Sequence, residues 1–525
     1  MNRLITSVIF GLVSINAVVQ AVPSRPRLVV GIVVDQLRTD YLTYLKDILG
    51  EKGFRRLMEN GAFLHDVDFR QSVKDMAAAT AVSYTGAWPS SSGVAGSTRF
   101  DSSLRRSVPT LHDTKNLGNY TSDSYSPEML RLSTISDEIA IDGIGLGAIY
   151  SISTDPQQAV IMAGHAGKGA LWIDDNTGKW ASSTYYPDFP AASRINQYSP
   201  LSSKIDTIVW KPSRKLEEYP GLPPQKKYYP FRYSFRNSGT DSYRRFKQSA
   251  PANREITDMA LEYLRSLNLG NRGEAIDMLN IGYTAAPFKD AKDGDYRIEL
   301  EDTYLQLDSQ LGRLLDEIDR RVGLDKTLIY LTSTGYYDDS VADDPKYRIP
   351  GGDFSLRRAL SLLNSYFSAK YGNAEYVETI HDGQVYLNHK TIENKGLSAE
   401  TLRSEGREFI LKMSGVAEVF TLSDLLESNS ESALSLRLGI DPKTSGDIFI
   451  LHNPGWTIND DLAYPPTSHP VRYGRTLAPA FLMGPEVEAT EIFTPVDATT
   501  LAPTVTSILH IRSPNGANQR PLTLK

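Results

Sequence analysis

Residues 28–34 read Leu-Val-Val-Gly-Ile-Val-Val, an unbroken apolar run that ends on Asp35. A run this rich in β-branched residues offers no polar face to water. It fits a strand buried on both faces, which calls for a mostly parallel sheet with helices on either side. The rest of the chain keeps that rhythm. Residues 54–58, stopped by Asn60-Gly61, read as a helix, and residues 135–141 read as another that leads into a strand over 145–152. A helix over 254–267 precedes a strand over 277–283. Tyr304, Leu307, Leu311, Leu314, Ile318 and Val322 recur at spacings of three and four, the stripe of an amphipathic helix. Strands over 328–332, 447–451 and 480–483 and a helix over 496–511 complete the pattern. The expected fold is a doubly wound α/β sheet, mostly parallel, with helices on both faces.

Two regions break the rhythm. Residues 170–250 are rich in Tyr, Pro, Ser and Arg, and residues 365–445 carry hairpin-like and helical pieces of their own. Both read as cap-like insertions within one domain spanning 22–525. The chain holds 28 tyrosines, many of them in these middle stretches. Tyrosine suits an interaction surface, and it equally suits packing of an insertion on a core.

The first residues, Met1-Asn2-Arg3, carry one positive charge, then an apolar run to Val19, and Val19-Gln20-Ala21 fits a signal-peptidase site. Residues 1–21 are therefore expected to be a cleaved secretory signal peptide, since the run is shorter than the roughly 20 residues a spanning helix needs. No later segment suggests a transmembrane helix. The expected location is the periplasm or another exported site. With no cysteine, disulfides, thiolate metal sites and a lipid-anchoring cysteine are excluded. A net charge of −7 without a basic stripe argues against nucleic acid as a partner.

Six stretches stand out in order along the chain: residues 27–38 ending in Asp35-Gln36-Leu37-Arg38, Tyr84-Thr85-Gly86, Gly93-Val94-Ala95-Gly96, Ala163-Gly164-His165, Glu301-Asp302-Thr303-Tyr304 and Ala502-Pro503-Thr504. Together they resemble the alkaline phosphatase superfamily, in particular the bacterial phosphate-irrepressible alkaline phosphatases and their phosphodiesterase relatives. The resemblance keeps its order over nearly the whole chain. It implies a two-zinc, in-line displacement at phosphorus by a threonine alkoxide.

Measured against that chemistry the chain is depleted. The nucleophile position holds Met76, whose thioether cannot be deprotonated. The family's Asp-x-x-Gly-His ligands fall on Pro287 and Ala291, and its Asp-His-Gly on Ser333-Thr334-Gly335. The phosphate-holding Lys-x-Arg becomes Asp155-Pro156-Gln157, and an expected asparagine becomes Ser97. Of the implied metal ligands, Asp35 and His469 remain, the latter followed by Pro470. These two are expected to hold at most one divalent metal as a vestige, and no catalytic residue is expected.

Other groups offer little as substitutes. Thr80 and Thr85 lie near Met76 without an evident base. The acidic runs Asp290, Asp293, Asp295 and Asp338, Asp339, Asp343, Asp344 lack EF-hand spacing, and His381-Asp382 is an isolated pair. An apolar pocket at Met76, Ala77 and Pro287 could take an uncharged ligand. The expected function is an exported pseudoenzyme that binds or scaffolds a protein partner in a cell-envelope complex. The alternative is a divergent metal-dependent phosphate- or sulfate-ester hydrolase.

Overall fold

The apolar run at Leu28–Asp35 forms strand β1, with every residue but Asp35 buried, at the centre of a ten-stranded sheet. The computed structural model describes residues 25–70, 75–186, 189–222, 224–228, 230–236, 241–291, 296–337, 351–463, 466–471 and 476–524. The expected signal peptide lies outside them. Among the described residues no helix is long and apolar enough to cross a membrane.

The other strands of this sheet are β2 (Ala62–Leu64), β3 (Gly118–Asn119), β4 (Ile149–Ile152), β5 (Gly169–Ile173), β6 (Trp180–Ser183), β7 (Asp277–Thr284), β8 (Thr327–Ser333), β9 (Ala480–Met483) and β10 (Thr490–Ile492). Their order is β10-β2-β9-β8-β1-β7-β4-β5-β6-β3. The middle, β8-β1-β7-β4-β5, is parallel throughout, while β9, β6 and β3 run antiparallel to their neighbours. Successive β1 side chains serve opposite cores. Val30, Ile32 and Val34 join one cluster, and Val29 and Val33 join the other. That is why the run contains no polar residue before its end.

Helices α1 (Met76–Thr85), α2 (Ile135–Asp142), α3 (Pro156–Ala163), α4 (Ala250–Ser266), α5 (Arg297–Arg321) and α6 (Leu501–Ile508) cover the two faces. Several expected boundaries shift, with α4 starting at Ala250 rather than 254. The last helix begins at Leu501 rather than 496, because Val496-Asp497 pairs with Val67-Asp68 and the Asp497 carboxylate takes the Thr499 amide. The strand expected at 145–152 begins at Ile149.

The apolar stretch near 447–451 forms a strand, Ile448–His452, but not in the central sheet. It pairs with Gln384–Leu387 and Val416–Thr421 in a separate four-stranded sheet. This sheet, the helices Leu356–Tyr371 and Ala399–Ile410 and a core around Leu363, Phe367, Leu402 and Ile448 make the second insertion a unit of its own. Its elements extend from Gly352 past 445.

The first insertion is bound to α5 by three neighbouring acids. Asp302 accepts hydrogen bonds from Trp210 Nε1 (2.6 Å), the Ser213 amide (2.8 Å), Tyr219 Oη (2.6 Å) and Gln306 Nε2 (2.5 Å). Glu299, fully buried, accepts from Lys226 Nζ and Tyr233 Oη. Glu301 takes the Gly221 amide, and its Oε2 has no hydrogen-bond partner. Trp210, Phe231, Tyr233 and Phe288 pack ring on ring above them. Among the described tyrosines of this insertion, Tyr186, Tyr219, Tyr233 and Tyr243 are buried and Tyr185 is half-buried, whereas Tyr198 and Tyr228 face solvent.

Burial pushes the Glu301 carboxyl up to about 7, against the opposing pull of the Gly221 amide and Arg297. A carboxyl raised in the folded state binds more protons there than in the unfolded chain. Stability is then highest below the ordinary glutamate range and falls as the pH rises from about 4.5 to about 7. Glu301→Gln should flatten that decline and raise the urea midpoint at pH 8 above wild type. An unchanged slope in a pH series of urea melts would refute the assignment.

Candidate functional site

The carboxyl ends of β1, β7 and β8 bring together Asp35, residues 285–287 and Ser333-Thr334-Gly335. Asp35 is part-buried, and one oxygen accepts Tyr336 Oη at 2.7 Å and Thr334 Oγ1 at 3.1 Å. Thr334 Oγ1 in turn accepts the Gln36 amide at 2.8 Å, where Gln36 sits at φ 59°. Ser333 Oγ donates to the Leu37 carbonyl at 2.6 Å, and the Ala285 amide donates to the Asp35 carbonyl at 2.8 Å. The loops after β1 and β8 are thus stitched by hydroxyls at the place where the resemblance implies metal ligands. Beside them Arg38 lies over the rings of Tyr337 (4.4 Å) and Tyr41 (5.0 Å), and its amide donates to Tyr304 Oη at 2.8 Å.

The second part of the site is the N-terminus of α1. Asp75 caps this helix: Oδ1 accepts the Ala78 amide at 3.0 Å and Oδ2 accepts the Ser97 amide. Free amides at a helix N-terminus form the natural seat for an anion. Here the chain's own carboxylate occupies it. Desolvation holds the Asp75 pKa above the ordinary range, against the two amides, and the nearby Asp382 carboxylate pushes it further up. Met76 follows as the first helical residue, part-buried.

The groups standing in for the expected cationic clamp are equally committed. Asp155 caps α3 through the Gln157 and Gln158 amides, and burial raises its pKa. Gln157 bridges the Ser97 carbonyl (2.7 Å) and the Leu111 amide (3.0 Å). Neither carries positive charge toward α1.

His381-Asp382, isolated in the sequence, sits at the tip of a hairpin of the second insertion and reaches this same place. His381 is buried, with Nε2 3.3 Å from Thr98 Oγ1 and Nδ1 3.1 Å from Ser107 Oγ. Phe100 packs on Tyr386 at 4.8 Å, and Arg131 pairs with Asp441 at 2.7 Å. The insertion docks through these contacts on the strands Thr98–Asp101 and Arg106–Pro109 and on Arg131, beside the Ser97 amide that Asp75 accepts.

The two zinc ions implied by the resemblance do not fit the described residues. Pro287 is buried and Ala291 carries no donor, Thr334 is engaged with Asp35, and no group of three or more metal-ligating side chains occurs among the described residues. His469 lies exposed on the strand Thr467–Pro470, opposite Ile458. No hydrogen bond among the described residues joins it to Asp35. Thr80 and Thr85 are buried, and each hydroxyl donates back into its own helix at 2.7 Å, to Met76 and Ala81 carbonyls. Neither can serve as a replacement nucleophile. Ala77 is fully buried in a core cluster, so it lines no ligand pocket. Asp290 pairs with Arg245, while Asp293, Asp295, Asp338, Asp339, Asp343 and Asp344 lie outside the described residues.

Sequence reasoning did not find Tyr336 or Asp75. Asp75 carried a local signal, an acid before a helical run with the pattern of an N-cap. Tyr336 carried none, since only the fold brings its hydroxyl to Asp35.

Comparison with known proteins agrees with this architecture. Residues 29–474 match the type I phosphodiesterase / nucleotide pyrophosphatase family. The chain is 28% identical to alkaline phosphatase PafA of Elizabethkingia meningoseptica, over 96% of this chain and 95% of that protein. It is 26% identical to alkaline phosphatase PhoV of Synechococcus elongatus, over 95% and 93%. The crystal structure of wild-type alkaline phosphatase PafA aligns with a TM-score of 0.83 at 26% identity, covering 96% of this chain and 99% of that one.

Proposed function

Starting from the fact that the chain belongs to the type I phosphodiesterase / nucleotide pyrophosphatase family of the alkaline phosphatase superfamily, we propose that it has lost metal-dependent hydrolysis and acts by binding. In this reading it is an exported, periplasmic protein that binds or scaffolds a protein partner in the cell envelope. The observation that carries it is the state of Asp35. Its carboxylate is held by Tyr336 and Thr334 hydroxyls, and the sequence offers Pro287, Ala291 and Thr334 where partners for a metal are needed. A phosphate dianion at the start of α1 would face Asp75 and Asp382, with Asp155 and Gln157 at the positions of the family's cationic clamp, which is unfavourable in a site of low dielectric. A rigid scaffold whose chemistry is gone keeps its surfaces, and function on such a fold lies in the site or loops it carries rather than in the fold itself.

The second reading is a divergent hydrolase of phosphate or sulfate esters that uses a metal arrangement other than the family's. Family membership over residues 29–474 and the surviving strand-end acid favour it. Elemental analysis of dialysed, chelator-free protein separates the two. The binding reading expects well below one zinc per chain and no aryl-phosphate turnover above the buffer rate with zinc, magnesium or calcium added. Two tightly held zinc ions, or metal-dependent turnover, would overturn it. Affinity isolation from envelope extracts, repeated with Asp35→Ala and with an exposed part of either insertion trimmed, then asks where the partner sits: a companion kept by Asp35→Ala and lost on trimming lies on the insertions and not on the remnant site.

A further inference from the structure

The chain carries a net charge of −7, yet one open, partly apolar hollow in the first insertion has four cations among the eight residues that line it. Lys211, Arg214, Lys215 and Arg232 surround a cavity of about 370 Å³, and all four side chains are exposed. Arg214 lies 3.6 Å from Glu218. Lys211, Lys215 and Arg232 have no ion pair among the described residues, unlike most other cations of this insertion and the helices beside it. Like charges gathered without partners repel one another, so the cluster favours an incoming anion.

The hollow is also built on a fixed frame. The Ser213 amide and hydroxyl bind buried Asp302, and the Arg214 amide donates to Tyr219 Oη at 3.2 Å. Phe231, buried at one wall, is packed against Trp210 and Tyr233 at 5.2 and 5.7 Å. The cations therefore project from backbone that α5 holds in place, which lowers the ordering cost of binding. Pro212 and Pro230 add flat apolar surface to the lining. None of these residues belongs to the strand-end site.

We propose that this hollow is a binding site for a sugar-sized ring bearing two or more phosphate or sulfate groups. The anionic groups meet the lysines and the guanidinium forks, and the ring face lies on the prolines. A cavity of this volume accommodates a mono- or disaccharide and little more. The same chemistry occurs in free sulfated or phosphorylated saccharides and in phosphorylated lipid headgroups.

Isothermal titration of the full chain with a trisulfated heparin disaccharide at low salt tests the site. One arm uses the unsulfated disaccharide, and another uses phosphatidylcholine vesicles containing phosphatidylinositol 4,5-bisphosphate. The expected result is saturable one-to-one binding of the sulfated ring, weakened by salt, with no binding of the unsulfated one. Lys211→Glu/Lys215→Glu should weaken it at least about tenfold, and Arg232→Ala should do so independently, with unchanged circular dichroism. Binding to the vesicles alone would assign the lipid-borne source, and binding to the disaccharide alone the soluble one. No saturable binding in either arm, or full binding by both variants, would overturn the proposal.

Discussion

Lys226→Met is expected to destabilise the first insertion by about 3–5 kcal/mol, because it strips the counter-charge from a carboxylate with no access to water. Lys226 Nζ lies 2.6 Å from both oxygens of Glu299, and Glu299 is fully buried. After the change only the Tyr233 hydroxyl, at 2.7 Å, would remain of its described partners. The lost stability should appear as a lowered denaturant midpoint, with early proteolytic cutting between 209 and 236. Exchanging both partners, Lys226→Met with Glu299→Leu, should recover most of it, since the unpaired charge disappears with its partner. Lys227→Met, at an exposed neighbour, should move the midpoint by less than about 0.5 kcal/mol. If Lys226→Met matched Lys227→Met, the buried pair would not be what fastens the insertion.

That pair also marks where sequence reading stops. The central strands announced themselves because a strand with two apolar faces has to be written mainly in apolar residues, as β1 is up to Asp35 and as β7 and β8 are apart from Asp277, Asn280, Thr284, Thr327, Thr332 and Ser333. The amphipathic stripe from Tyr304 to Val322 placed α5 for the same reason, with Leu307, Leu311, Leu314 and Ile318 all fully buried. The run at Ile448–His452 shows the limit: its composition says strand, but nothing in it says which sheet. Its partners, Gln384–Leu387 and Val416–Thr421, are fixed by the fold of the insertion. Glu299 and Lys226 are likewise 73 positions apart, and no local pattern pairs them. In the site, the missing donors at Pro287 and Ala291 could be read from residue type alone. What replaced them could not, because Tyr336 reaches Asp35 across 301 positions.

Met76→Thr should yield no phosphatase activity above Met76→Ala, although it restores the residue type that the family chemistry calls for. A threonine hydroxyl attacks phosphorus only as an alkoxide, and making one near neutral pH takes a metal or a base beside it. The residue would instead follow Asp75, whose side chain already occupies the Ala78 and Ser97 amides. Rebuilding the metal seat takes Pro287→Asp, Ala291→His, Ser333→Asp and Thr334→His together. The last two of these meet an obstacle in the present fold. Ser333, fully buried, donates to the Leu37 carbonyl, so a carboxylate there would face an acceptor. Thr334 supplies the oxygen that the Gln36 amide needs. Gly335 must stay as it is: at φ 72° a Cβ would come within 2.3 Å of Phe69. Groups that act as one catalytic unit give almost nothing singly, so partial restoration should stay at the buffer rate. Aryl-phosphate hydrolysis by Met76→Thr, measured with added zinc and after chelation, decides the point. Chelator-sensitive turnover above the Met76→Ala control would mean that a competent metal site survives around Asp35, and the hydrolase reading would then replace the binding one.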